Sequence, residues 1–191
     1  MDKHLLLNVY GVSISHPKDW QIFINPNNKF TFDEGLVKID KVTEGSKKKE
    51  TSLSIRWAKM KQPIELEEYV EELKNQFKKK ERKSRNRERF KIIKKIKCTI
   101  GERDAYLLQK EFIANHSIYR VFGKDERVKV LQMLFYSEKT QRMLIASLLT
   151  TPEEFKKNEE QFKDILFTLH ENMEPTQTIN QIQQSKIRIV N

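Results

Sequence analysis

The chain is short of the residues that most protein chemistries require. It has one cysteine, Cys98, among 191 residues, which excludes an intramolecular disulfide and any metal site built from several thiolates. A lone thiol suits a reducing compartment, so a cytoplasmic protein is expected. The five glycines stand at 11, 35, 45, 101 and 123, too scattered to write a phosphate-cradling loop or a dinucleotide fingerprint. Five glycines and five prolines are also too few for an extended disordered body. The four histidines, His4, His16, His116 and His170, are isolated, and none lies near a second histidine or the cysteine, so no metal and no cofactor is expected. Long hydrophobic runs are absent. The opening MDKHLLLNVYG has three consecutive apolar residues before Asn8, too few for a signal-peptide core, and no window approaches a membrane span.

What the chain has in excess is positive charge in one place. Between Lys74 and Lys97 it carries thirteen Lys/Arg against Glu81 and Glu88, a net of +11 where the whole chain is +10. The basicity is therefore local. Upstream, Leu66, Tyr69, Val70, Leu73 and Phe77 recur at the spacing of an apolar helical stripe, and Glu65, Glu67, Glu68, Glu71 and Glu72 crowd its first turns. The stripe stops after Phe77, so three turns are expected to dock and the rest to project. Lys74, Lys78, Arg82, Arg85 and Arg89 line one solvent stripe if that helix continues. Period two returns in FKIIKKIKCTIG: Phe90, Ile92, Ile96, Cys98 and Ile100 point one way with Lys94 as the exception, and Lys91, Lys95 and Lys97 point the other. The candidate contact residues are Lys74, Lys78, Lys79, Lys80, Arg82, Lys83, Arg85, Arg87, Arg89, Lys91, Lys95 and Lys97. A solvated helix end and a binding surface both account for such a run.

The rest reads as strands with one further helix. Val12 and Ile14, Trp20, Ile22 and Ile24, Phe30 and Phe32, Val37 and Ile39, and Leu53, Ile55 and Trp57 each alternate with polar residues. The polar insert 44–50 is expected to be a hairpin loop, and Gly101 to Asp104 a turn. Ala105 to Ala114 forms the next strand, with Tyr106, Leu108 and Phe112 on one face. Val128 to Tyr136 and Met143 to Thr150 form a hairpin about Ser137-Glu138-Lys139-Thr140, apolar on both faces and so central in a covered sheet. In TTPEEF, Thr151 caps a helix, Pro152 takes its first position and Glu154 completes a capping box. Phe155, Phe162, Ile165, Leu166 and Leu169 are its buried stripe, to about His170. Segregated strands and helices predict an α+β fold, an antiparallel β-sheet covered by helices. Residues 1–171 are expected to form one domain, with the basic extension at 74–97, and 172–191 a polar tail that is loose or carries a short strand from Ile187 to Val190.

The opening YGVSISHPKDW, the strand pair before PIELEEYVEEL, the segment IKCTIGERDAYLLQKEF, and the closing hairpin followed by TTPEEFKKNEEQFKDILFTL resemble the PsbP-like family over roughly residues 9 to 171. The resemblance implies an α/β/α sandwich and a protein-binding role without catalysis, in a family whose members include a protein that binds a small GTPase. The export signal of some members is missing, and the basic run and polar tail are departures.

The residues themselves offer no convergent catalytic set. Ser13 and Ser15 precede His16 only as strand neighbours, which does not make a triad. Cys98 alternates with Ile96 and Ile100 and reads as a small core residue. A non-enzymatic binding protein is expected, meeting an acidic protein surface through the basic patch, such as that of a small GTPase. The alternative is the backbone of RNA or DNA, bound without sequence choice because no aromatic lies between Phe77 and Phe90 to stack on bases. An anionic membrane surface is a weaker third, since the run has no exposed apolar residues to insert.

Overall fold

The computed structural model describes residues 4–25, 27–42, 49–83, 88–114, 127–172 and 187–189. Two strands open it, β1 (His4–Val9) and β2 (Val12–Pro17), joined by Tyr10 and Gly11 at φ 48° and 76°. Left-handed values at both positions are what a two-residue hairpin turn needs, and Gly11 meets that demand without a Cβ. Then follow β3 (Gln21–Ile24), β4 (Glu34–Val42), β5 (Lys49–Lys59), α1 (Leu66–Lys83), β6 (Glu88–Ile100), β7 (Arg103–Ala114), β8 (Arg127–Ser137), β9 (Arg142–Thr150), α2 (Pro152–Phe167), β10 (His170–Glu171) and β11 (Ile187–Ile189).

Among the described residues, eight strands form one sheet in the order β11-β3-β4-β5-β9-β8-β7-β6, antiparallel except where β11 runs parallel to β3. The remaining three form a small sheet, β1-β2-β10. Alternation decides the faces. Tyr106, Leu108 and Leu134 meet Leu66, Tyr69, Val70 and Leu73 of α1 on one face. On the other, Leu131, Met133, Phe135, Leu144 and Leu148 pack with Phe155, Phe162, Ile165 and Leu166 of α2, and with Leu7, Val9, Val12 and Ile14 of the small sheet. The large sheet is thus covered on both sides, and the expected α+β arrangement holds.

Several expectations change in detail. Phe30 and Phe32 do not form a strand; the segment before β4 folds over Trp57, whose Nε1 donates to the Thr31 carbonyl at 2.9 Å, while Phe30 meets the Tyr10 and Trp57 rings edge-on and tilted. Gly35 lies beneath that indole, where a Cβ would overlap the ring. The β4–β5 hairpin pairs Val42 with Lys49, and most of the expected loop lies outside the described residues. Helix α2 starts as its capping residues foretell, with Thr151 Oγ1 accepting from the Glu154 amide at 3.2 Å. It ends at Phe167 rather than His170, because Thr168 caps it and His170 enters β10, and it leaves helical geometry at Asn158, whose amide donates to the Glu154 carbonyl at 3.1 Å. Of the C-terminal stretch, 173–186 lies outside the described residues, and Ile187–Ile189 takes the short-strand option.

One charged pair joins the layers. Arg142 and Glu171 are both fully buried, with Arg142 Nε at 2.8 Å and Nη2 at 2.6 Å from Glu171 Oε1. The same guanidinium donates to the carbonyls of Tyr10 and Phe32 at 2.9 and 2.8 Å and lies over the Phe32 ring at 4.1 Å. It therefore ties β9 of the large sheet to the small sheet and to the segment that shields Trp57. Removing one partner leaves the other charge buried and uncompensated, so Arg142→Met is expected to cost about 3–5 kcal/mol. Chemical denaturation of wild type and variant measures this, and a loss under about 1 kcal/mol, the value of an exposed pair, would contradict it.

Candidate interaction surface

Helix α1 lies on the β6–β7 edge of the sheet, and its first turns are fastened there by charge. Lys95 Nζ on β6 sits 2.8 Å from Glu67 Oε1 and 3.6 Å from Glu71 Oε1, and 4.9 Å from the Tyr106 ring centroid, while Tyr106 donates to Glu67 Oε2 at 3.0 Å. The hydrogen bonds from Lys95 and Tyr106 hold the Glu67 carboxyl below its ordinary range, and the bond to Glu67 raises Lys95. Three turns on, Phe77 stacks on Phe90 at 5.2 Å and meets Phe112 edge-on at 5.8 Å. Glu81 then accepts from the Phe90 amide at 2.8 Å, which closes the helix onto the start of β6.

The strand expectation for β6 fails at one residue. Ile93 is an extra residue, a bulge between Ile92 and Lys94 against an uninterrupted β7. Directly opposed residues share a face, so Phe90, opposite Phe112, points toward α1, whereas Ile96 and Cys98, opposite Leu107 and Ala105, point to the other core. A bulge shifts the period by one residue, and this is why Lys94 breaks the alternation. Lys95 and Lys97 accordingly lie on the α1 side, and Arg89, Lys91 and Lys94 on the opposite side. Cys98 is half-buried, with Sγ 3.6 Å from the Ala105 carbonyl and 3.9 Å from Met133 Sδ, and burial raises its thiol pKa.

The twelve candidate cations do not form one stripe. Lys74 pairs with Glu71 at 3.2 Å, Lys95 with Glu67, and Lys97 with Asp104 at 2.8 Å, which raises the Lys97 pKa. Arg89 is not on the helix at all: α1 ends at Lys83, and Arg89 and Lys91 belong to β6 on the sheet face away from α1. Arg85 and Arg87 lie outside the described residues. Lys78, Lys79, Lys80, Arg82 and Lys83 remain together, all exposed on the last two turns of α1, with no ion pair among the described residues. At 100° per residue they span most of the circumference that Phe77 and Glu81 leave free. They make a cationic cap around the helix end.

Among the described residues no group of three His, Cys, Asp or Glu is placed to hold a metal, and no helix is long and apolar enough to cross a membrane. No protein-family model matches the chain, and no curated protein matches its sequence. Solved structures do. The solution structure of cyanobacterial PsbP (CyanoP) from Synechocystis sp. PCC 6803 superposes with a TM-score of 0.65 over 90% of this chain and 94% of that one, at 11% identity. The fold is PsbP-like. The crystal structure of PA94 from Pseudomonas aeruginosa, a protein of unknown function, is also similar, with a TM-score of 0.53 at 17% identity over 91% of this chain and all of that one. At such identities the likeness carries the PsbP-like architecture and no residue roles.

Sequence reasoning missed one group on this PsbP-like scaffold. Lys110, only 3% exposed, lies beneath the cap with Nζ 4.8 Å from the Phe77 centroid and bonded to Gln132 Oε1, and Gln132 Nε2 donates to Ser147 Oγ at 2.7 Å. Its only signal was a lysine on the Tyr106, Leu108, Phe112 face. Burial lowers its pKa from 10.5 to about 8. Between those values the unfolded chain holds a proton that the folded chain has released, so stability rises with pH across that window, by up to about 3 kcal/mol. Urea melts from pH 8 to 10.5 are expected to show stability changing more favourably with rising pH in wild type than in Lys110→Met, by the contribution of this one group. Equal slopes would contradict a depressed Lys110.

Proposed function

We propose that this chain is a non-enzymatic binding protein that contacts an acidic protein surface through the cationic cap of α1, Lys78, Lys79, Lys80, Arg82 and Lys83. Arg85 and Arg87 follow in sequence and belong to the same reading. The observation that carries it is the division of the basic run into spent and unspent charge. Lys95 holds the helix to the sheet through Glu67 and Glu71, Lys74 is paired with Glu71 along the helix, and Lys97 with Asp104 across β6 and β7. The cations of β6 also have a structural use, because β6 is an edge strand, and lysines with a bulge keep such edges from pairing with other chains. The cap has neither use. A favourable helix dipole explains one or two terminal cations and not five exposed ones.

Carboxylates suit this surface better than nucleic acid does. Among the described residues, the aromatics next to the cap, Phe77 and Phe90, are stacked on each other, so neither ring is offered to a base. Charge complementarity of this kind steers encounter and sets partner choice.

Replacing Lys78, Lys79, Lys80, Arg82 and Lys83 with Gln lowers the formal charge from +10 to +5 and nearly preserves helix propensity. The variant is expected to melt within a few degrees of wild type and to bind a labelled polyglutamate peptide at least tenfold more weakly by fluorescence anisotropy. Lys95→Gln is expected to do the reverse, lowering the melting temperature and leaving peptide affinity intact. Duplex RNA of equal charge is the comparison. Tighter binding to RNA, with a steep loss in salt that flattens in the five-residue variant, would replace the protein reading with a phosphate-backbone one. Unchanged peptide binding by that variant would overturn the assignment of the cap.

A further inference from the structure

At the end of the large sheet opposite the cap, the β6–β7 turn, the β8–β9 turn, β10 and the lead-in to α1 surround an open cleft of about 1020 Å³. Its floor has an imbalance. Glu171 Oε1 accepts from Thr140 Oγ1 at 2.7 Å and from Arg142 Nε at 2.8 Å, with Arg142 Nη2 at 2.6 Å. Glu171 Oε2 has no hydrogen-bond donor. Arg103 Nη2 stays 3.6 Å away with its guanidinium 5.6 Å from the Phe135 centroid, beyond hydrogen-bonding reach of the oxygen. Ser137 Oγ is also buried without a partner; both residues are 1% exposed, and both line the cleft. A buried carboxylate oxygen with no donor carries a large desolvation cost, and native structures rarely leave one so.

The walls carry the same demand. Glu65, Glu102 and Glu138 line the cleft, all exposed, and none is ion-paired among the described residues. Asp104, also on the wall, is occupied by Lys97. A ligand that meets these groups donates hydrogen bonds and carries positive charge. We propose that the cleft binds a guanidinium group, which donates to Glu171 Oε2 and Ser137 Oγ at the floor while its charge is met by Glu65, Glu102 and Glu138. A planar fork of N–H donors can serve more than one acceptor at once, which suits a cleft with two unpartnered groups better than a single ammonium does. The group is supplied by a small guanidinium compound or by an arginine side chain of a partner. This site is separate from the cap, lies at the other end of α1 and takes the opposite charge, so its test does not depend on the proposed function.

The experiment titrates full-length protein with ethylguanidinium, with a blocked Gly-Arg-Gly peptide, and with tetramethylammonium, following amide chemical shifts. Saturable shifts centred on Gly101, Glu102, Ser137, Glu138 and Glu171 are expected with the first two probes and not with tetramethylammonium, which has charge but no N–H. Tighter binding of the peptide assigns the source as a protein side chain, and equal binding as a small molecule. Glu171→Gln threatens the fold because it breaks the buried pair with Arg142, so Ser137→Ala and the Glu102→Gln/Glu138→Gln double variant are the probes. Each is expected to keep the wild-type melting temperature and weaken guanidinium binding at least threefold. No saturable shift with either guanidinium probe, shifts equal to those from tetramethylammonium, or affinity unchanged in both variants would overturn the site.

Discussion

The pairing of Arg142 with Glu171 is the constraint on which the rest of the structure depends. A guanidinium with five donors can satisfy several acceptors at once, and Arg142 reaches a carboxylate from β10 and the carbonyls of Tyr10 and Phe32 from two further segments. The small sheet, the cover over Trp57 and the last strand of the central hairpin all converge on one side chain. Such a pair does not add much net stability over a well-packed apolar substitute, since both charges are desolvated. What it supplies is position: a burial site for a charge that only one arrangement of the three segments satisfies. The unsatisfied oxygen of Glu171 follows from this. Both hydrogen bonds, from Thr140 Oγ1 and Arg142 Nε, fall on Oε1, and Oε2 is left without a donor.

The large sheet lies between two regions of opposite charge, joined by α1. The helix begins beside carboxylates that line the cleft, is fastened at its first turn by Glu67 and Lys95, and ends in exposed cations. This order follows the helix dipole, acidic residues near the start and basic ones near the end. It also separates them by the length of the helix. At 1.5 Å per residue, seventeen steps from Leu66 to Lys83 span about 25 Å, more than twice the screening length of physiological salt. Each end therefore acts on its surroundings almost independently of the other.

Much of the architecture was legible because period two and period 3.6 are written plainly in this chain. The stripe from Leu66 to Phe77, the Thr151-Pro152 helix start and the hairpin closed at Ser137 to Thr140 all appear where the pattern puts them. The failures have physical causes. Ile93 is a bulge, and a single inserted residue inverts the facing of everything on one side of it; Lys94, out of phase, was the visible trace. Phe30 and Phe32 alternate as a strand does, yet they cover Trp57 and Arg142 instead, because a side-chain requirement elsewhere outweighed a local preference. The cationic run was read as continuous because composition does not reveal which charges have partners. Pairing joins residues such as Glu67 and Lys95, twenty-eight positions apart, and only the fold shows it. The Glu171 cleft left no sequence signal at all, since Arg103, Ser137, Arg142 and Glu171 come from four separate strands.

The division of the basic run into structural and available charge is tested most directly by lysine footprinting. Acetylation of the folded protein, free and saturated with polyglutamate peptide, followed by mass spectrometry, reports each lysine separately. Selective protection of Lys78, Lys79, Lys80 and Lys83 is expected, with Lys91, Lys94 and Lys139 reacting equally in both states and Lys95 slow in both. Protection that falls on Lys91 and Lys94, or evenly over every exposed lysine, would contradict a binding surface at the end of α1.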